Sequence, residues 1–210
     1  MSGRREEILD AALDIADERG LDAVSMRALA DRVGVTPMAL YRHVKDKAAL
    51  LDGMVGRLLA AVLPPESPDE RNWEERLDAL AHASREVTQR HPWAAHLLFS
   101  RPAITADAVR VVDIIFLALL EAGVPEAEVP RLERMISTFV IGFAASEASG
   151  RFAPGSLDPR GRRGQLPESE LPGHGTLAPY LDLPVDLTAE FEADLADIRR
   201  LIKAAAERAD

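Results

Sequence analysis

The chain has no cysteine among its 210 residues. That excludes disulfide staples, thiolate nucleophiles and every metal site that needs sulfur, and it fits a reducing compartment. Lysine is nearly as scarce. There are three, at positions 45, 47 and 203, among 25 basic residues. Long apolar runs are missing as well. IIFLALL (114–120) and FVIGFAA (139–145) each have seven residues, against the roughly 20 that a helix needs to cross a bilayer. Acids at Glu6, Glu7, Asp10 and Asp14 break up the start of the chain, so it does not read as a secretion signal. Period-two alternation of apolar and polar residues is rare, which argues against strands. These absences predict a soluble, cytoplasmic, all-helical protein without a membrane partner.

What remains is ample for a core. Apolar residues make up 47% of the chain, and the net charge is −10. Ile8, Leu9, Ala12, Leu13, Ile15 and Ala16 form one face at helical spacing, and Gly20 stands where that helix must stop. Ser25 is placed to cap MRALADRV, Gly34 to end it, and Thr36 to cap a next helix with Pro37 in its first position. Asp46 caps a fourth helix, expected over Lys47 to Leu63. After PPESP (64–68), three longer patterns centre on Trp73–Val87, Val112–Leu120 and Leu132–Phe143. A last stripe runs from Phe191 through Leu195, Ile198 and Ile202 to Ala205. Between them, residues 151–188 hold six prolines and five glycines in 38 residues, so the expectation is a long Pro/Gly-rich loop, either mobile or functional.

The segment GVTPMALYRHVKDK (34–47) stands apart. It gathers Arg42, His43, Lys45 and Lys47 around Tyr41 with Asp46 as its one acid. On a helical wheel over 36–45, Leu40 and Val44 turn toward Leu29 and Val33, leaving Met38, Tyr41, Arg42 and Lys45 on the free side. Residues 25–47 carry five Lys/Arg against Asp31 and Asp46. A local basic patch on an acidic body suits an anionic polymer. Two short helices joined by a glycine turn, with the second one basic, suggest a helix-turn-helix that docks in a DNA major groove. Helix starts at Ser25, Thr36 and Lys47 add backbone N–H groups suited to phosphates. An ordinary amphipathic hairpin with a basic wet face is the alternative from spacing alone.

GLDAVSMRALADRVGVTPMALYRHVKDKAALLDGM closely resembles the DNA-binding domain of the TetR family of bacterial transcription regulators. The matching positions are Gly20, Ser25, Leu29, Ala30, Gly34, Val35, Thr36, Leu40, Tyr41, His43, Asp46, Lys47 and Leu50. Val44 replaces the usual phenylalanine, as in the tetracycline-repressor branch. The resemblance implies phosphate contacts from Ser25, Tyr41, His43 and Lys47, and a base or phosphate contact from Arg27. Pro37, Met38 and Ala39 occupy base-reading positions. Being apolar, they suit thymine methyls, which leaves Arg27 and Arg42 for guanine.

HLLFSRPAITADAVRVVDIIFLALLEAGVPEAEVPRLERMISTFVIGFAASE resembles, more loosely, the C-terminal domain of the tetracycline-repressor branch, through Arg101–Pro102 and Gly142. That implies a ligand-binding and dimerisation domain. Leu97 stands where that branch has a magnesium-binding histidine, and His96 points elsewhere, so a different apolar or aromatic effector is expected, with no metal and no cofactor. Trp73, Trp93, Phe99, Phe116, Phe139 and Phe143, with His82, Arg85 and His96 and the nearby Ser84 and Thr88, are candidates to line its pocket; ordinary core packing is their other reading. Asp113 is expected to pair with Arg110 three residues earlier. The last helix and the small-residue run GFAASEAS (142–149) are the expected dimer surfaces.

The expected organisation is therefore a three-helix DNA-binding domain over 1–46 and a larger helical ligand-binding and dimerisation domain over 47–210. The expected function is a homodimeric, ligand-responsive repressor on a palindromic operator. A helical small-molecule carrier or enzyme with an incidental helix-turn-helix is the alternative. Against the enzyme stands the lack of a nucleophile–base motif, phosphate loop or metal-ligand spacing.

Overall fold

The computed structural model describes residues 2–64, 71–101, 104–151, 166–181 and 183–209. Among these, ten α-helices and no strand are found. They are α1 (Ser2–Arg19), α2 (Met26–Val33), α3 (Pro37–Leu40), α4 (Lys47–Ala60), α5 (Trp73–Arg90), α6 (Ala94–Ser100), α7 (Ala106–Glu121), α8 (Val129–Ala148), α9 (Pro172–Leu181) and α10 (Leu187–Ala206). No helix among the described residues is long and apolar enough to cross a membrane.

Helix starts are written in the side chains. Ser25, Thr36, Asp46, Thr105 and Asp186 each accept a hydrogen bond from a backbone N–H in the first turn that they cap. Asn72 and Glu75 exchange bonds reciprocally, at 3.0 Å each way, and fix the start of α5. Gly34 ends α2 in the left-handed region (φ 69°), and its N–H reaches back to the Ala30 carbonyl.

The first three helices pack Ile8, Ile15, Leu29 and Leu40, all nearly or fully out of solvent, into one small core. α4 continues that core into the rest of the molecule: it packs on α1 and on α6 and α7, and Val55 and Leu58, with Val62 just beyond its end, face a space shared with side chains of α5, α7 and α8. Two glycines let α4 lie close to its neighbours. A Cβ on Gly53 would stand 2.6 Å from a methyl of Leu9, and one on Gly56 would stand 2.7 Å from Thr105 Oγ1. α5, α7 and α8 form the larger bundle, with α10 laid against α8. Phe191, fully buried, anchors α10.

Three expectations need correction. The basic segment is not one helix over 36–45. α3 stops at Leu40, and Tyr41, Arg42 and His43 form a hydrogen-bonded turn, with the His43 N–H donating to the Leu40 carbonyl at 2.8 Å. α4 ends at Ala60, three residues short of Leu63. Arg110 pairs with Asp107 at 2.7 Å rather than with Asp113; the i, i−3 carboxylate at the helix start also faces the favourable end of the dipole.

The expected loop over 151–188 is partly helical. Pro172 opens α9, where a missing N–H costs nothing, and the helix runs on through Pro179 without burying any residue. The stretch also runs into α10, which begins at Leu187. Residues 152–165, Pro102 and most of PPESP lie outside the described residues.

Candidate functional site

α3 and the turn that follows it create a polar face because their apolar side chains are spent inward. Leu40 and Val44 are buried beside Leu29 and Ala30. Met38, at 74% exposure, and Tyr41, at 48%, project outward, as do Arg42, His43, Lys45 and Lys47. Of the ten residues expected on DNA, Arg27, Thr36, Pro37, Met38, Tyr41, Arg42, His43 and Lys47 are exposed, and Ser25 and Ala39 are half-buried. Ser25 Oγ and Thr36 Oγ1 are already accepting the N–H groups of Ala28 (3.1 Å) and Ala39 (3.3 Å). Each hydroxyl keeps its own proton for an outside acceptor.

The cations on this face differ in availability. Arg32 is tied to Glu18 in a two-pronged bond across to α1. Arg27, Arg42, Lys45 and Lys47 have no ion-pair partner among the described residues. Four uncommitted positive charges beside an exposed tyrosine are what phosphate binding needs.

The nine residues expected at a ligand do not gather in one place. Phe139 and Phe143 converge on Phe191, at 6.5 and 4.9 Å between ring centroids. Arg85, 7% exposed, lies over the same rings, 5.0 Å from the Phe191 centroid. Its guanidinium makes two 2.7 Å bonds to the Glu147 carboxylate. The hydrogen bond from Arg85 holds the Glu147 carboxyl below its ordinary pKa, outweighing burial, and Glu147 raises that of Arg85. His82 meets the edge of Phe191 and pairs with Glu192. This is a filled cluster joining α5, α8 and α10. Trp73 sits under Lys203. Trp93 donates to Asp17 on α1 at 2.6 Å. Phe116 is half-buried on α7. His96 and Phe99 line a shallow surface pocket with Ala145, Ser146 and Ser149.

The enclosed space lies elsewhere. A cavity of about 150 Å³ opens between α4, α5, α7 and α8. Its walls are aliphatic: Val55, Leu58, Leu80, Val111, Ile115, Ile136 and Val140 among others. None of the nine aromatic and basic candidates lines it; of the nearby polar positions, Ser84 and Thr88 do. Arg101, Glu133 and Ser137 complete its polar lining. Phe139 and Phe143 marked a place where the interior is filled, whereas the void remains where branched aliphatic side chains meet. The readable signal was the isolated polar residue on an otherwise apolar stripe, as at Ser84, Thr88, Glu133 and Ser137.

Arg101 connects this cavity to α4. Its Nε donates to Asp52 Oδ1 at 2.7 Å and its Nη2 to the Ala48 carbonyl at 3.1 Å. The Asp52 hydrogen bond raises the Arg101 pKa above its ordinary value. Leu97 is buried and His96 exposed on α6. Among the described residues no group of three or more His, Asp or Glu side chains is placed to hold a metal.

Residues 8–54 match the profile of "Bacterial regulatory proteins, tetR family", and residues 64–174 match "Tetracyclin repressor-like, C-terminal domain". The HTH-type transcriptional repressor DrrR1 of Streptomyces coeruleorubidus is 31% identical over 142 residues, covering 68% of this chain and 53% of that protein. An HTH-type transcriptional regulator of Saccharopolyspora erythraea is 33% identical over 165 residues, 78% of this chain and 67% of that one. The match thus spans about half the length of the first relative and two thirds of the second. Apo ActR from Streptomyces coelicolor superposes with a TM-score of 0.82 at 28% identity, over 98% of this chain and 97% of that one. ActR in complex with actinorhodin gives 0.80 at 27% identity, over 96% and 97%.

Proposed function

This chain belongs to the tetR family of bacterial regulatory proteins, and on that premise we propose that it is a homodimeric transcription repressor released from DNA by a small, largely apolar effector. Residues 1–46 act as the DNA-binding domain and residues 47–210 as the ligand-binding and dimerisation domain, with α4 as the joint. The protein works in the cytoplasm and catalyses no reaction. Two relatives named as an HTH-type repressor and an HTH-type regulator support the assignment, and the actinorhodin complex of ActR supports a ligand in this fold.

One observation carries the reading: Leu40 and Val44 are buried while Tyr41, Arg42 and Lys45 are exposed and the neighbouring cations are uncommitted. The turn around α3 therefore meets the major groove. Ser25, Thr36, Tyr41, His43 and Lys47 hold phosphates; Arg27 and Arg42 reach base edges; Pro37, Met38 and Ala39 provide apolar contacts. A second copy covers the small-residue run Gly142–Ser149 and the exposed Leu201 of α10, and two-fold symmetry places the paired reading heads about 34–36 Å apart on a palindromic operator.

The effector acts by selecting one spacing of those heads. Only a difference in its affinity for the two spacings moves DNA affinity. At about 150 Å³ the cavity is smaller than the roughly 300 Å³ at which ligand sites begin. An effector larger than one ring must therefore spread the cavity walls, and α4 is one of them. Sedimentation of the protein with a duplex from its own upstream region tests the assembly: two protomers per inverted repeat are expected, and a single protomer on the duplex would overturn the dimeric reading.

A further inference from the structure

The polar lining of the cavity has a definite sign. Ser84 Oγ donates to the Leu80 carbonyl at 2.7 Å, and Thr88 Oγ1 to the Ser84 carbonyl at 3.0 Å. Ser137 Oγ donates to Glu133 Oε1 at 2.8 Å. A hydroxyl has one proton and two lone pairs. All three protons are spent within the protein, so Ser84, Thr88 and Ser137 meet a ligand as acceptors.

The two charged residues are not equivalent. Arg101 is neutralised by Asp52, and its Nη2 is bound to the Ala48 carbonyl. Glu133 receives only the Ser137 hydroxyl, with no Lys or Arg pairing to it among the described residues. The cavity therefore carries one uncompensated carboxylate against aliphatic walls, where weak screening makes charge complementarity count for more than at the surface.

Given that this cavity is the effector site, we propose that its ligand is an apolar molecule carrying a protonated amine, held by the Glu133 carboxylate with Ser84 or Thr88 as a second acceptor. An anionic ligand is disfavoured on the same grounds, because Arg101, the one cation in the lining, is already paired with Asp52 while Glu133 is not paired among the described residues. A space of about 150 Å³ accommodates a single aromatic ring, which sets the size of the probe.

The test is calorimetric titration of the full-length protein at neutral pH with benzylamine, benzyl alcohol and benzoate, which share a ring and differ in charge. Benzylamine is expected to bind tightest and benzoate weakest. Glu133→Gln should weaken benzylamine about tenfold, the size of one charge-assisted hydrogen bond, while leaving benzyl alcohol within about twofold. Equal weakening of amine and alcohol, or tightest binding by benzoate, overturns the proposal. If Glu133→Gln fails to fold, as circular dichroism would show, Glu133→Asp takes its place: a retained amine preference upholds the carboxylate's role and a lost one contradicts it. Val111→Trp fills the cavity and should abolish binding of all three. Alcohol binding that survives Val111→Trp, or no probe binding to the wild type, defeats the cavity reading itself; alcohol bound in the cavity without an amine preference defeats only the ligand class.

Discussion

Arg101 Nε lies 2.7 Å from Asp52 Oδ1, and through that bond a residue of the cavity wall is fastened to the N-terminal half of α4. The same guanidinium reaches the Ala48 carbonyl, one residue beyond the start of the helix at Lys47. On the proposed mechanism, movement of the cavity wall would pass through this bond to α4.

Asp52→Asn should separate the two activities of the protein. It keeps the size of the side chain and removes its charge. DNA affinity without effector should change little. Release by effector should weaken at least fivefold, the lower end of ordinary coupling between sites. Anisotropy titrations with and without effector measure both quantities. An unchanged effector response would show that the coupling runs through other contacts.

On the DNA face, Lys47→Ala should weaken every duplex alike and lower the slope of log affinity against log salt by about 1. Arg27→Ala should instead reduce the preference for operator over scrambled DNA. Binding measured at several salt concentrations on both duplexes distinguishes the two. If both variants weaken all sequences equally, Arg27 has no base-reading role.

The partly buried pair Arg85–Glu147 and the carboxyl of Asp194 predict pH effects of opposite sign. The Glu147 pKa is depressed, chiefly by the hydrogen bond from Arg85. Its contribution is therefore complete above the ordinary glutamate range and is lost as pH falls through the lowered value. Glu147→Gln should destabilise the protein by about 1–3 kcal/mol at neutral pH, with the difference from wild type shrinking in acid. The Asp194 pKa is raised, first by burial and then by Asp197. Its favourable contribution is present at low pH and is lost as pH rises through the raised value. Asp194→Asn should accordingly stabilise at neutral pH and have no effect in acid. Urea midpoints across pH check both; parallel curves for wild type and either variant would contradict the assignment.

Gly56 tests how closely α4 must pack. A methyl there would stand 2.7 Å from Thr105 Oγ1 and 3.0 Å from its Cβ. Thr105 itself caps α7, with Oγ1 accepting the Ala108 N–H at 3.3 Å. Gly56→Ala should cost about 1–3 kcal/mol by overpacking. Gly34→Ala has open space around it but a φ of 69°, so its cost is conformational, about 1 kcal/mol. An unchanged denaturation midpoint in Gly56→Ala would mean that α4 shifts freely.

The helix-turn-helix was legible because it is local. Caps at Ser25, Thr36 and Asp46 and the inward pair Leu40 and Val44 are set by residues a few positions apart. The length of α3 was not legible: an apolar pair four apart fits a helix and a following turn equally. The cavity was illegible for a different reason. It depends on how side chains from four helices fail to fill the space between them, and no periodicity in one helix reports that. Ser84 and Thr88 were visible as polar interruptions; Glu133 and the link from Arg101 to Asp52 became meaningful only when α4, α5 and α8 were brought together. In residues 151–188, the prolines and glycines that suggested a loop concealed α9, because Pro172 occupies a first-turn position and Pro179 is tolerated in a helix with no buried face.

The account rests most directly on DNA binding. Fluorescence anisotropy of the purified protein on DNA from upstream of its own gene, against a scrambled duplex at two salt concentrations, measures it. Tight binding that prefers the upstream duplex and weakens steeply with salt is the predicted result. Equal, weak binding to both duplexes that Lys47→Ala does not lower would contradict it.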